Sequence, residues 1–214
     1  MKKFVFLPMI LVLVAANYAY SSEDSSQWAL RFSGGYGFSL NSTVENFTVG
    51  SPNVYPLSSG IPTGVEALYS VNQNLGLGLG VFPEFMSQKF RMSNLAHTDD
   101  VEVTETATFL PVLFDIYLGQ SLGRDLSLFI GVGTGVVPAN THNFSSVGGI
   151  NSSNNLDAGL VFRAQLGLDW AMSRHVHLGL LIQELTFNQT NLNSGGYSYD
   201  YNQIAPMLYA DLKI

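Results

Sequence analysis

Leu75-Gly-Leu-Gly-Leu-Gly-Val81 decides how this chain is read, because every odd residue is aliphatic and every even one is glycine. A period of two belongs to a strand whose two faces meet different surroundings. Leu126-Ser-Leu-Phe-Ile-Gly-Val-Gly-Thr-Gly-Val136 repeats the habit. Working outward, the alternation marks eight segments, at roughly 28–40, 61–71, 75–85, 109–118, 126–137, 158–171, 176–187 and 203–214. Most are close to the 9 to 11 residues that a tilted strand needs to cross a bilayer.

The connections alternate in character. Short ones follow the second, fourth and sixth segments: Asn72-Gln-Asn74, 119–125 with Gly123-Arg-Asp125 at its tip, and 172–175. The others, 41–60, 86–108, 138–157 and 188–202, are long and polar. An even strand count with short turns at one end and long loops at the other predicts an all-β chain, an eight-stranded antiparallel up-and-down transmembrane β-barrel.

The direction of the apolar face tests this, since a soluble barrel hides it inside and a membrane barrel turns it outward. One parity carries Trp28, Leu30 and Phe32; Leu75, Leu77, Leu79 and Val81; Leu110, Val112, Phe114 and Ile116; Phe162, Leu166, Leu168 and Trp170; and Leu208, Leu212 and Ile214, with no charge. The other carries Arg31, Glu66, Glu84, Asp115, Arg163, Asp169, His177, Asp211 and Lys213 among many glycines. The apolar face therefore meets lipid, and the opposite face reads as mostly glycine, small polar and ionised. An eight-stranded lumen is only wide enough for side chains, so the barrel is expected to be filled. Counting up from the short turns sets Glu66, Glu84 and Arg163 near mid-height, with Arg31, Asp115, Asp211 and Lys213 lower. Arg163 between Glu66 and Glu84 forms the expected ionic plug, because a buried carboxylate needs a cationic or hydrogen-bonded partner. Trp28 and Trp170 fall at the short-turn end, as a periplasmic-side aromatic girdle. Pro62, Pro83, Pro111 and Pro138 lie mostly toward the long loops, where lost ladder bonds are tolerated. Parity fails near Gln183 and Glu184, where a bulge or an early exit from the membrane is expected.

Composition limits the function. The 214 residues hold no cysteine and nine Lys plus Arg against sixteen Asp plus Glu, for a net charge of −7. Nucleic-acid binding lacks its cationic footprint, and zinc ribbons, thiol catalysis and disulfide scaffolds are excluded. Lys2 and Lys3, an apolar run over 4–16, and small residues at Ala15, Ala16, Ala19, Ser21 and Ser22 predict a secretory signal peptide over 1–21. Cleavage after Ala16 or after Ser21 satisfies the small-residue rule, and 22–214 form the barrel domain.

Phe109-Leu-Pro-Val-Leu-Phe-Asp-Ile-Tyr117, Leu128-Phe-Ile-Gly-Val-Gly-Thr-Gly-Val136, Ala164-Gln-Leu-Gly-Leu-Asp-Trp170 and His177-Leu-Gly-Leu180 resemble the outer-membrane β-barrel domain family. That family includes the opacity-type surface proteins and the OmpA transmembrane domain. The resemblance implies an eight-stranded barrel inserted by the outer-membrane assembly machinery of a Gram-negative-type envelope, in contact with membrane lipid and lipopolysaccharide. Such barrels usually end in an aromatic residue, whereas this chain ends Leu212-Lys-Ile214.

Chemistry is sparse. His97, His142, His175 and His177 stand at no metal-ligand spacing with Asp, Glu or Cys, so no metal and no cofactor are expected. His142 with Ser145 and Ser146 imitates the rim residues of lipid A-modifying barrels, without any ordering motif. Gly131-Val-Gly-Thr-Gly135 lies within a strand and no Gly-Lys-Ser/Thr follows, which removes a phosphate loop. No catalytic residue is assigned. The long loops are lopsided, with Glu45, Asp99, Asp100, Glu102, Glu105, Asp157 and Asp200 against Lys89 and Arg91. Loops meet other molecules, so the expected role is structural or surface-interactive, in a monomer with an extracellular ligand at its loops. Val101-Glu-Val-Thr-Glu-Thr-Ala-Thr108 alternates, which extends the third and fourth strands outward as a hairpin with edges open to pairing. The alternative roles are a narrow or laterally gated passage for small hydrophobic compounds, with Pro83 and Pro138 interrupting the wall, a lipid A-modifying enzyme, and a soluble lipocalin-like binder.

Overall fold

A computed structural model describes residues 28–45, 53–54, 59–93, 100–146, 151–191 and 197–214. The signal segment lies outside them, as do most of the acidic loop side chains and those of His142 and Ser146. The described strands are β1 (Trp28–Gly35), β2 (Gly37–Glu45), β3 (Asn53–Val54), β4 (Ser59–Ser70), β5 (Leu75–Val81), β6 (Glu84–Ser93) and β7 (Asp100–Phe109). They continue with β8 (Val112–Ser121), β9 (Leu126–Val137), β10 (Asn140–Ser146), β11 (Asn151–Leu156), β12 (Gly159–Ala171), β13 (Val176–Asn191) and β14 (Tyr197–Lys213).

Eight of them close a wall in the order β1, β14, β13, β12, β9, β8, β5, β4 and back to β1, every neighbour antiparallel. Arg31 marks the closure, lying opposite Asp211 on one side and Glu66 on the other. The expected apolar parity points outward: Leu208 is 66% exposed and Leu79 60%. Short turns tie one rim through side-chain caps. Asn72 Oδ1 accepts from the Asn74 and Leu75 amides at 2.8 and 2.9 Å, and Ser173 Oγ from those of His175 and Val176 at 3.3 and 3.1 Å.

Toward the other rim the wall strands break where proline removes a donor. β5 gives way to β6 at Pro83, β7 to β8 at Pro111, and β9 to β10 at Pro138. Beyond the breaks β6, β7, β10 and β11 continue as an outer sheet. The expected outward hairpin is present, with β6 and β7 paired from Glu84 opposite Phe109 to Ser93 opposite Asp100. The segment 138–157, read as loop, holds a second hairpin of β10 and β11. Its sequence carries no apolar alternation, so hydropathy had nothing to register there.

The bulge expected at Gln183 and Glu184 does not occur. β13 runs from Val176 to Asn191 in unbroken register with β14, while the irregularity lies at Asn202 and Gln203, where β14 meets β2. Leu185 and Phe187 keep their parity and point inward, because the lumen at that height is itself apolar. Glu184 turns outward and accepts from Asn202 Nδ2 at 3.2 Å.

Candidate functional site: the lumen and the outer rim

Glycine makes the lumen possible. Gly133 of β9 lies opposite Asp115 of β8 and Arg163 of β12, Gly78 opposite Asp115, and Gly131 opposite Tyr117 and Gln165. A β-carbon at Gly133 would run into the Asp115 carboxylate, one at Gly78 into Glu66, and one at Gly131 would stand 2.7 Å from the Tyr117 ring. The aliphatic/glycine alternation thus has a packing cause: oily residues cover the outer face, and missing side chains leave room inside for long ones from the next strand.

Near the short turns, Arg31 Nε and Nη2 each donate to Asp211 at 2.8 Å. The Arg31 guanidinium also lies 4.2 Å from the Tyr209 ring centre, 4.9 Å from Phe129 and 5.2 Å from Tyr117. Ring faces attract a cation, so these three add to the hold of Asp211. The Asp169 carboxylate meets His177 Nδ1 at 2.6 Å and receives the Tyr209 hydroxyl at 3.0 Å.

One layer up, Arg163 donates through Nε to Asp115 Oδ1 at 3.0 Å and through Nη2 to Asp115 Oδ2 at 2.5 Å. Its Nη2 lies 3.5 Å from Glu66 Oε1, and the Tyr117 hydroxyl stands 2.7 Å from both Glu66 oxygens. With its amide turned so that the oxygen faces Arg163, Gln165 accepts from Arg163 Nε at 2.6 Å and Nη2 at 3.0 Å. Asp115 is 0% and Glu66 1% exposed, whereas a continuous water column would leave them wet. The two-pronged contact of Arg163 with Asp115 is the strong form of charge-assisted pairing.

The ionic plug keeps Glu66 and takes Asp115 in place of Glu84. Arg163 pairs with Asp115 and Glu66, and Glu84 stands apart, accepting at Oε1 from the Tyr201 hydroxyl at 2.9 Å and from Gln203 Nε2. Strand tilt is the reason: counting from unequal turns set Asp115 low, whereas the ladder brings it level with Arg163 across Gly133. Lys213 is half-buried at the short-turn rim and joins no ion pair among the described residues. Trp28 and Trp170 stand at that rim, each 55% exposed, with Trp28 packed 5.0 Å from the Tyr69 ring.

A second correction concerns composition. Instead of small polar groups, much of the lumen is aromatic: Tyr117, Phe129 and Tyr209 in one cluster, and Phe82, Phe109, Phe187 and Tyr201 in another beside Leu113, Val137, Val161 and Leu185. Phe109 and Phe187 lie 4.6 Å apart between ring centres, and Phe187 and Tyr201 4.8 Å. These residues share the parity of the charges, Tyr117 two beyond Asp115 and Tyr209 two before Asp211, and that parity was the signal for them. Above this cluster, buried Gln189 donates to the carbonyls of Pro138 at 3.2 Å and Asp157 at 3.1 Å, both at strand breaks.

No family model matches the chain, and no curated protein does. Solved structures do. The crystal structure of Neisserial surface protein A matches with a TM-score of 0.51 at 9% identity, covering 89% of this chain and 100% of that one. The chain has the fold of an outer-membrane β-barrel. The outer membrane protease OmpT of Escherichia coli has the same TM-score and identity, with 88% and 96% covered. The outer membrane protein OprG of Pseudomonas aeruginosa matches with 0.48 at 12% identity, with 90% and 98% covered. Likeness at such identity concerns the fold alone.

Proposed function

We propose that this barrel is a non-enzymatic protein of the outer membrane, closed to solutes, whose role lies in envelope structure and in contact with an external partner through its outward strands. The observation that carries the reading is the combination of a packed lumen with an open sheet above it. Among the described residues β11 ladders with β10 alone and meets β13 at its base, and in this reading the rest of its other edge takes an extended segment of a partner. In this reading lipopolysaccharide and membrane lipid surround a monomer that the outer-membrane assembly machinery inserts. Planar-bilayer recordings should give a flat trace. Deleting 140–156 from the displayed protein should abolish partner capture from intact cells while the wall remains folded; capture that survives every single-loop deletion, or stepwise conductance, refutes the proposal.

One observation favours a lateral passage for small hydrophobic compounds. The β8–β9 ladder ends at Val112 opposite Val136, and β7–β10 pairing resumes at Thr106 opposite Asn143, with Pro111 and Pro138 in the interval. Pro83, by contrast, is bridged: the Phe82 amide donates to Pro111 O at 2.9 Å, and Glu84 pairs opposite Phe109. Slower uptake of such compounds by a deletion strain would favour this route.

A further inference from the structure

The short-turn rim holds a notch of about 360 Å³ lined by Arg124, Asp125, Leu126 and Trp170. Its floor is fixed by the ladder. Leu126 lies opposite Trp170, the Ala171 amide donates to Asp125 O at 2.8 Å, and the Leu122 amide to Leu126 O at 2.8 Å. The turn is braced by Ser121 Oγ donating to Gly123 O at 2.6 Å. Arg124 and Asp125 are both exposed, and no side-chain partner holds either among the described residues. Arg124 and Asp125, successive residues of the turn, thus line the notch together with an aliphatic chain and an indole.

We infer that this notch binds one phospholipid with a primary-ammonium zwitterionic headgroup, of the phosphatidylethanolamine class. The phosphate meets the Arg124 guanidinium, which presents a planar fork of donors suited to two phosphate oxygens. The ammonium meets the Asp125 carboxylate. The glycerol and upper acyl chains lie on Leu126 and Trp170, whose ring suits the boundary between headgroup and hydrocarbon. Charge complementarity selects the class. A glycerol headgroup carries the same phosphate but brings no cation to Asp125, and a choline headgroup offers that carboxylate no N–H donor. The inference rests on short turns facing the inner leaflet, where barrels of this layout keep them.

Native mass spectrometry of the folded full-length protein released from detergent micelles tests it, using phosphatidylethanolamine, phosphatidylcholine and phosphatidylglycerol with identical acyl chains. The expected result is one ethanolamine lipid retained about tenfold over the other two, the size of one charge-assisted hydrogen bond. R124Q and D125N should each bring it down to the choline level while circular dichroism shows the same β-structure. Equal retention of all three lipids overturns the inference. So does preference for the glycerol lipid, which assigns Arg124 a role without Asp125, or retention untouched by both substitutions. The readout is independent of the outer loops, so failure here leaves the partner reading standing, and loss of partner capture leaves this one standing.

Discussion

At the scale of single residues, the lumen depends on two arginines, Arg31 holding Asp211 and Arg163 holding Asp115 and Glu66. Arg163→Ala would leave Asp115 and Glu66 buried side by side, and a broken buried pair costs about 3–5 kcal/mol. The denaturant midpoint of the folded protein in detergent should fall accordingly, and Arg163→Lys should recover little, since one ammonium cannot reproduce the two-pronged contact with Asp115. Gly133→Ala should destabilise by about 1–3 kcal/mol in the same assay, because its methyl group displaces the Asp115 carboxylate from Arg163. Which face these residues occupy was readable in advance, because an ionised side chain on a strand in lipid has only the inside to go to. Which partner each takes was not. Arg163 and Asp115 sit on strands separated by a third, and their meeting is set by tilt and register that no local stretch encodes. Tyr117, Tyr201 and Tyr209 were harder still, since an aromatic ring suits lipid, rim and lumen alike, and only its parity with a nearby charge distinguishes them.

At the scale of elements, the proline breaks separate the closed wall from the outer sheet of β6, β7, β10 and β11. The alternating wall strands were legible as runs of two-faced sequence. The β10–β11 hairpin was not, because its sequence carries no apolar alternation. Gln189 couples the two regions by donating to carbonyls on both sides of that hairpin's base, at Pro138 and Asp157. Gln189→Leu removes both donations in a buried setting, at a cost of about 1–3 kcal/mol. The expected readout is local: faster amide exchange and earlier proteolytic cutting in 138–157, with the exchange of β13 and β14 below it unchanged. Uniform acceleration over the whole wall would show that Gln189 supports the barrel and not the hairpin.

At the scale of the molecule, the lipid band and the packed interior act together. Leu79 stands on the outer face of β5, opposite Phe114 of β8, which is also exposed. Leu79→Arg should cost roughly 2–4 kcal/mol if it lies near the bilayer midplane. It should reduce folding yield into vesicles far more than it does in detergent, where a cation finds water more easily. The interior offers no compensating freedom, because its aromatic clusters and ion pairs fill the space that a rearranged wall would need.

The seam of the wall has one more consequence. β1 and β14 are neighbours, and at the short-turn rim the Ile214 amide donates to Trp28 O at 2.8 Å. The two ends of the folded cylinder therefore touch, and nothing in the ladder remembers which strand came first. A circularly permuted chain, with a few flexible residues joining Ile214 to Trp28 and the opening within 192–196, should close into the same cylinder with the same oily girth, its ends now meeting between β13 and β14. Its amide signals should match the parent everywhere except at the splice and the new opening.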